Sequence, residues 1–259
     1  MHQVKDSKQQ TTNNARRITD SHRVFKAFVD FDGTITKKDV GDAIFLNFCD
    51  KKIVDDIIKK LLSDKISAMQ CWVSLCEIAK IPGKKELDDF VDEIEIDPAF
   101  HKFVAFCENN KIDIYVLSDG FDYYIKRIFE REGLQNLKYY SNKLEITKDN
   151  HLIPHFPYFD IDCQTSANCK RNHIINHSGD DEYTIFIGDG NSDKYTSQFC
   201  DFIFAKDDLL KFCEKERITY FPFNDFNDII KRIEVLINRK RLKKRHQALL
   251  KRREVYIAE

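Results

Sequence analysis

The sequence lacks long apolar runs, repeats and an excess of one charge. Apolar runs such as residues 43–46 are far shorter than the roughly 20 residues that a membrane-spanning helix needs, so no membrane span is predicted. Because 42 Lys and Arg face 43 Asp and Glu, the formal net charge is −1, and nucleic acid is not an expected partner of the chain as a whole. What remains is a globular chain whose apolar fraction of 42% suffices for a substantial core.

Cysteine pairing and a secretion signal are also missing. The eight cysteines show no framework of paired spacings, and the N-terminus shows no signal-peptide pattern. Cysteines without such a framework are typical of proteins in a reducing cytosol. The sequence therefore predicts a cytoplasmic protein.

Short β-prone runs alternate with helical patterns along much of the chain. The predicted strands are residues 24–29, 112–117, 184–187 and 202–205, and helical patterns follow at 121–132, 191–199 and 206–215. This alternation predicts an α/β fold with a doubly wound parallel sheet.

Two excursions interrupt the alternation. Between the first two strands, helical patterns at 40–62, 66–79, 85–94 and 99–109 occur without a strand, as expected of an inserted helical cap. Residues 144–158 predict a β-hairpin, and residues 229–255 predict one long, basic helix. The predicted division is a flexible leader at 1–22, a catalytic core at 23–36 and 112–235, the cap at 37–111, and a basic tail at 236–259.

Two aspartates follow the first predicted strand. Asp30 and Asp32 lie in Asp-Phe-Asp-Gly-Thr, at the carboxyl end of a strand, where open α/β sheets bind ligands. One aspartate can attack phosphorus to form an aspartyl-phosphate, and the second can exchange protons with the leaving group and water. Asp189, after another strand, is the natural further oxygen ligand for Mg²⁺.

A hydroxyl and a cation complete the candidate site. Ser118 ends the second strand before a helix, where hydroxyl and backbone N–H groups can hold an anion, although a lone Ser is also an ordinary helix cap. Lys170 begins a helix, a position unfavourable for a cation unless it contacts phosphate or a carboxylate. A solvated lysine is the plainer alternative.

Together these stretches resemble the four motifs of the haloacid dehalogenase superfamily of phosphatases, in the family's order. Segment 30–34 is similar to the first motif, Ser118 to the second, Lys170 to the third and segment 188–193 to the fourth. The insert is similar to the lid of the phosphoserine-phosphatase-like branch. Segments 118–124, 201–205 and 219–228 further resemble a methionine-salvage group, whose named member dephosphorylates 2-hydroxy-3-keto-5-methylthiopentenyl-1-phosphate.

The resemblance implies a Rossmann-like core, a Mg²⁺ cofactor and a small phosphorylated metabolite as substrate. Asp30 would be nucleophile and metal ligand, Asp32 the acid/base whose backbone carbonyl binds Mg²⁺, and Asp189 a ligand with Asp193 in or beside the metal shell. Phosphate binding is assigned to Thr34, Ser118, Asp119 and Lys170.

The same residues leave alternatives open. An aspartyl-phosphate also serves a phosphotransferase or a phosphoserine-type phosphatase. A non-catalytic phospholigand-binding relative is a different class, but no residue of the motifs has been replaced by an inert one.

The cap composition bears on the substrate. No Arg occurs between Arg23 and Arg127, so the cap has no guanidinium to pair with a substrate carboxylate, and phosphoserine is predicted to be a poor substrate. We expect the cap to close over the substrate, with Asp39 near the leaving group. Phe45, Phe48, Met69 and Trp72 are by default the core of the cap itself, and one or two of them could face an apolar or polyol leaving group.

Two further clusters suggest other chemistry. A structural Zn²⁺ is conceivable at Cys163, Cys169, His173 and His177, but the spacing of the cysteines is atypical, and packed or exposed side chains are preferred. The basic tail could contact RNA, an acidic membrane or a receptor of unknown identity, and a solvated terminal helix is the preferred interpretation.

Overall fold

The computed structural model describes residues 23–163 and 166–258, so the predicted leader at 1–22 lies outside the described residues. Seven strands form one sheet in the order β4-β3-β2-β1-β5-β6-β7, in which only the β3–β4 pair is antiparallel. The strands are β1 (Phe25–Asp30), β2 (Asp113–Phe121), β3 (Lys138–Ile146), β4 (Leu152–His155), β5 (Tyr183–Gly188), β6 (Phe202–Ala205) and β7 (Phe221–Pro222). The predicted α/β parallel-sheet fold is confirmed.

Helices cover both faces of this sheet and fill the insert after β1. They are α1 (Val40–Phe48), α2 (Lys51–Leu62), α3 (Ala68–Ile78), α4 (Lys84–Asp92), α5 (Phe100–Asn109), α6 (Asp122–Arg131), α7 (Lys170–His177), α8 (Asp193–Thr196), α9 (Asp207–Lys215), α10 (Phe226–Ile237) and α11 (His246–Ala258). None of the described helices is long and apolar enough to cross a membrane.

The central strand β1 pairs with β2 on one side and β5 on the other, and apolar clusters packed on both faces of the sheet bury its side chains. Successive side chains point to opposite faces, so Ala27 and Val29 join one apolar cluster and Phe28 joins the other. Since β1, β2 and β5 are parallel, their carboxyl ends meet at one edge of the sheet. The loops that follow these three strands therefore converge there.

The insert leaves and re-enters the core through two paired connections. Thr36 and Ile96 form an antiparallel bridge, the Lys37 amide donates to the Glu95 carbonyl at 3.0 Å, and the Asp97 amide donates to the Ile35 carbonyl at 2.8 Å. These bonds fasten both ends of the insert next to the loop that follows β1.

The helices of the insert dock on different parts of the core. Helix α4 packs against α6, where Arg127 makes a two-point ion pair with Asp92, with N···O distances of 2.7 and 2.6 Å. Helix α3 packs against β4, and α5 packs against α10 and β2. The division between core and cap stays a prediction, but α5 makes its contacts with core elements.

Three predicted elements were wrong in their extent. The helix predicted at 40–62 is two helices, because Asp50 caps α2 by accepting from the amides of Lys52 and Ile53 at 2.9 and 3.4 Å. The predicted hairpin at 144–158 is confirmed as the antiparallel pair β3–β4, but β3 begins earlier than predicted, at Lys138, and also pairs with β2. The helical pattern at 191–199 contains only the single turn α8 and a following 3₁₀ turn.

The basic C-terminal segment was also predicted wrongly as one solvated helix. It breaks between α10 and α11, where Arg23 donates to the carbonyls of Arg239 and Lys240. Helix α11 returns to the core: Ala248 is buried, and the Arg252 guanidinium is 2% exposed and donates to the Phe199 carbonyl at 2.6 Å. Part of the basic charge therefore serves internal packing.

Candidate active site

A buried lysine joins two aspartates at the carboxyl edge of the sheet. Lys170 Nζ, wholly buried, lies 2.5 Å from Asp30 Oδ1, 2.7 Å from Asp193 Oδ1 and 3.1 Å from Ser192 Oγ. Burial by itself lowers the pKa of Lys170, but the carboxylates of Asp193 and Asp30 outweigh it and raise that pKa. The ammonium is thus held charged beside Asp30, which explains a cation in the first turn of α7.

Asp32, two residues later, has a different set of partners. Its Oδ2 accepts from Ser118 Oγ at 2.7 Å and from Tyr124 OH at 3.1 Å, and its Oδ1 accepts from the Val40 amide at 3.2 Å. Burial raises the pKa of Asp32, and these hydrogen bonds oppose that rise. An aspartate of raised pKa is suited to carry a proton for a leaving group.

The loop after β5 supplies a further carboxylate. Asp189 Oδ1 accepts from Thr34 Oγ1 at 2.7 Å, and burial first, then Asp193, raise the pKa of Asp189 to about 6. Gly33 has a φ of 77° and passes so close that a Cβ there would lie 2.5 Å from Asp189 Oδ2. Glycine is required at this position both for the backbone conformation and for the approach of this carboxylate.

The carboxylates could hold a divalent metal ion. Within the described residues, one group of three His, Cys, Asp or Glu residues brings its ligand atoms within 4.8 Å of one another, and it consists of Asp30, Asp189 and Asp193. Asp193 is otherwise engaged, because its Oδ1 binds Lys170 and its Oδ2 accepts from the amides of Asp189 and Gly190 at 3.1 Å. Asp30 and Asp189 therefore fit as side-chain ligands, with Asp193 behind them.

Asp119 fixes the loop that delivers Lys170. Its Oδ1 accepts from Ser166 Oγ at 2.9 Å and from the amides of Ala167 and Asn168, both at 2.7 Å. Asn168 Nδ2 in turn donates to the Ser118 carbonyl at 2.8 Å. The second and third motifs are thereby hydrogen-bonded to each other by residues of the protein itself.

A cavity of about 280 Å³ lies between this edge of the sheet and the insert. The acidic residues lining it are Asp30, Asp32, Asp39, Asp42, Asp119, Asp189, Asp207 and Asp208. The apolar side chains lining it come from α2 and α3: Ile58, Leu61, Leu62, Ala68, Cys71, Trp72 and Leu75. No Arg or Lys occurs among the described residues that line this cavity.

The structure brings together most of the predicted site residues. Asp39 lies in the cavity wall and caps α1 by accepting from the Asp42 amide at 2.8 Å, and its pKa is raised by burial first and then by Asp32. Of the four cap side chains among which one or two were expected to face the leaving group, Trp72 lines the cavity. Phe45 instead packs against Trp72 from behind, with ring centroids 5.9 Å apart.

Sequence reasoning missed Tyr124 and Asn168, which contact the site through hydrogen bonds. Tyr124 ends segment 118–124 and Asn168 lies two residues before Lys170, but the sequence assigned neither residue a role in the site. The pattern of 122–131, in which Tyr124 occupies a buried position of an amphipathic helix, predicts only a core residue.

Among the described residues, no three of Cys163, Cys169, His173 and His177 bring their ligand atoms within 4.8 Å of one another. His173 Nε2 lies 2.8 Å from Asn168 Oδ1, and its ring stacks on Tyr140 at a centroid distance of 4.4 Å. Burial lowers the pKa of His173 to about 4, so the imidazole is neutral at pH 7. These contacts give His173 a role in packing the loop before Lys170.

Comparison with known families agrees with this geometry. A family model described as haloacid dehalogenase-like hydrolase matches residues 27–196. The chain belongs to this family, within its phosphoric monoester hydrolases.

One curated protein and two solved structures are similar to this chain over most of its length. The chain is 30% identical over 214 residues to a 2-hydroxy-3-keto-5-methylthiopentenyl-1-phosphate phosphatase of Bacillus mycoides, which covers 82% of this chain and 97% of that protein. A phosphoserine phosphatase solved as a phospho-aspartyl intermediate analogue has a TM-score of 0.60 at 19% identity, over 81% of this chain and 98% of that one. A phosphoserine phosphohydrolase-like protein of Francisella tularensis has a TM-score of 0.61 at 15% identity, over 81% and 100%.

Proposed function

We propose that this chain is a Mg²⁺-dependent phosphatase that hydrolyses a small phosphorylated metabolite through an aspartyl-phosphate on Asp30. The observation that carries the proposal is the contrast between two aspartates two residues apart. Asp30 contacts the buried Lys170 ammonium, whereas Asp32 is held by Ser118 and Tyr124. Two carboxylates in different environments are suited to different tasks, nucleophile and proton carrier.

In the first step a carboxylate oxygen of Asp30 forms a bond to phosphorus while the bond to the ester oxygen breaks. Asp32 gives its proton to that departing oxygen, so an alcohol leaves and Asp30 carries the phosphoryl group. In the second step water attacks phosphorus, Asp32 takes its proton, and the bond to Asp30 breaks to release phosphate. Lys170 lies where its charge can contact the phosphoryl oxygens throughout.

Asp30 and Asp189 would hold Mg²⁺ through their side chains, with the backbone carbonyl of Asp32 as a further ligand. When bound, the ion neutralises charge on the transferring phosphoryl group and on the clustered carboxylates. The raised pKa values of Asp30 and Asp189 reflect burial together with the mutual repulsion that such a cation would relieve.

Thr34 and Asp119 require a refined role in phosphate binding. The Thr34 hydroxyl donates to Asp189, and the Asp119 carboxylate accepts three hydrogen bonds and has no proton to offer a phosphate. We infer that any direct contact of these residues with phosphate uses the main chain, while their side chains orient Asp189 and the loop before Lys170.

The wall formed by α2 and α3 points to the kind of leaving group. Its apolar side chains can desolvate a neutral, partly apolar group, whereas a substrate carboxylate would find no cation there and would cost several kcal/mol to bury. The substrate in the name of the Bacillus mycoides relative carries a methylthio end and no carboxylate. We propose a substrate of that chemical kind and expect phosphoserine to be poor.

The test is phosphate release from a panel of phosphomonoesters, with and without Mg²⁺. The panel includes 2-hydroxy-3-keto-5-methylthiopentenyl-1-phosphate, sugar phosphates, nucleoside monophosphates and phosphoserine, compared by kcat/KM. Mg²⁺-dependent release with a neutral ester preferred supports the proposal. Phosphoserine as the best substrate contradicts the leaving-group assignment, and no release from any ester contradicts the phosphatase assignment.

A further inference from the structure

Tyr124 is buried in the first turn of α6, and its hydroxyl contacts Asp32, the proposed proton carrier. Its ring lies in the apolar cluster beside Phe31, with centroids 6.0 Å apart. The hydroxyl lies 3.1 Å from Asp32 Oδ2 and is held by a ring that is 0% exposed. A buried phenol needs a hydrogen-bond partner, and here that partner is a reacting group.

The neighbouring loop is shaped around this hydroxyl. A Cβ on Gly120 would lie 1.5 Å from the Tyr124 oxygen, so a larger residue there would displace the tyrosine. Gly120 belongs to the segment that also carries Ser118, the second donor to Asp32 Oδ2 at 2.7 Å. The segment from Ser118 to Gly120 therefore supplies one hydrogen-bond donor to Asp32, the Ser118 hydroxyl, and leaves the space that the second donor, Tyr124, occupies.

The two donors distinguish the oxygens of Asp32. A carboxyl oxygen has two lone pairs in its plane, and those of Oδ2 are engaged by Ser118 and Tyr124. Oδ1 accepts one hydrogen bond, from the Val40 amide, and keeps capacity for a proton. The hydrogen bonds thereby make Oδ1 the oxygen that exchanges the proton.

We propose that Tyr124 is a positioning residue for proton transfer: with Ser118 it saturates Oδ2 of Asp32 and leaves Oδ1 to donate to the departing ester oxygen. This assignment rests on the proposed function, because it needs Asp32 to act as acid and base. In this assignment Tyr124 acts through its hydrogen bond to Asp32 Oδ2. Its removal affects the steps in which Asp32 exchanges a proton, and in the step that forms the aspartyl-phosphate it matters only where the leaving group must be protonated.

The test compares two esters of similar size but different need for an acid, 4-nitrophenyl phosphate and 2-phenylethyl phosphate. Nitrophenolate leaves without a proton, whereas the alkoxide of phenylethanol requires one. Because kcat/KM reports the step that forms the aspartyl-phosphate, it is measured for both esters with wild type, Tyr124→Phe and Asp32→Asn. The readout is the ratio of the two losses, which a uniform structural effect does not change.

For Tyr124→Phe we expect a loss of about tenfold or more with the phenylethyl ester and less than about threefold with the nitrophenyl ester. Adding Tyr124→Phe to Asp32→Asn should cost less than about twofold further, since the two residues act as one unit. Tyr139→Phe removes a hydroxyl from a half-buried ring elsewhere and should leave both values unchanged. Gly120→Ala, which displaces the phenol, should give the same unequal losses.

Equal losses with both esters in Tyr124→Phe and Gly120→Ala, or full additivity with Asp32→Asn, would overturn the assignment of Tyr124 while leaving the phosphatase intact. A wild-type protein that releases phosphate from neither these esters nor the metabolite panel would instead refute the proposed function. Thermal unfolding of each variant shows whether its loss reflects an unfolded fraction.

Discussion

The two walls of the active-site cavity differ in how their residues are held. On the sheet side, carboxylates, a lysine and hydroxyls contact one another at 2.5–3.1 Å across large sequence separations, as between Asp30 and Lys170. On the cap side, α2 and α3 present apolar side chains such as Leu61 and Trp72, and none of the described residues that line the cavity is a cation. The difference suggests that the sheet determines the reaction and the cap determines which leaving group enters.

The largest effect should come from the sheet side, at the nucleophile. Asp30→Asn removes the carboxylate that forms the bond to phosphorus, so we expect turnover to fall to background for every ester. Phosphate release measures the loss, and thermal unfolding shows whether the variant folds. Because Asp42 lines the same cavity from helix α1 of the insert, Asp42→Asn is the matched control and should retain most activity. Turnover by Asp30→Asn near the wild-type level would show that Asp30 is not the nucleophile and would contradict the assignment of the reaction to the sheet wall.

A smaller but still large effect is expected at the proton carrier. Asp32→Asn retains the nucleophile and loses proton transfer, which typically contributes about 10²–10⁴-fold. We therefore expect kcat/KM for an alkyl phosphate to fall within that range. A fall of the same size with 4-nitrophenyl phosphate would show that Asp32 contributes something other than a proton.

The acidic wall should also make metal binding depend on pH. Burial and Asp193 raise the pKa of Asp189 to about 6, and Mg²⁺ binds the ionised carboxylate. From about pH 7.5 to about pH 5 the ionised fraction falls about tenfold, so the apparent Mg²⁺ affinity should fall by at least about tenfold. The increase of Tm with Mg²⁺ concentration measures this affinity.

Without metal, the contribution of Asp189 to folding stability changes with pH in the opposite direction. A folded-state pKa above the unfolded value means that the folded state binds more protons, so in EDTA this group lowers stability as pH rises from about 4 to about 6. Asp208→Asn, at a partly exposed position in the same wall, should keep the metal dependence of wild type. A Mg²⁺ effect on Tm that is equal at both pH values would contradict the assignment of Asp189.

The smallest effect should come from placing a cation on the cap wall. Leu61→Arg gives the cavity the guanidinium that the insert lacks, and we expect kcat/KM for phosphoserine to rise several-fold relative to a neutral ester. Ile53→Arg adds the same charge to α2 at an exposed position and should leave the ratio unchanged. If both variants behave alike, the cap wall does not select the leaving group.

Local patterns predicted the sheet side better than the cap side. Asp30, Asp32, Ser118, Lys170 and Asp189 follow strands or begin a helix, and parallel strands bring such positions to one edge. The cap residues that line the cavity have no such rule, because an amphipathic helix shows which face is apolar but not what that face meets. Of the apolar cap residues proposed to face the leaving group, the structure places Trp72 on the cavity.

The sequence by itself determined the alternation of strands and helices, the insert after β1 and the order of the acidic motifs, since these depend on periodicity and chain order. Only the tertiary structure decided that Tyr124 reaches Asp32, that Asp119 fastens the loop before Lys170, and that Arg252 of the C-terminal helix is buried against the core. These contacts depend on packing between distant segments. Their strength comes from burial, which no local pattern records.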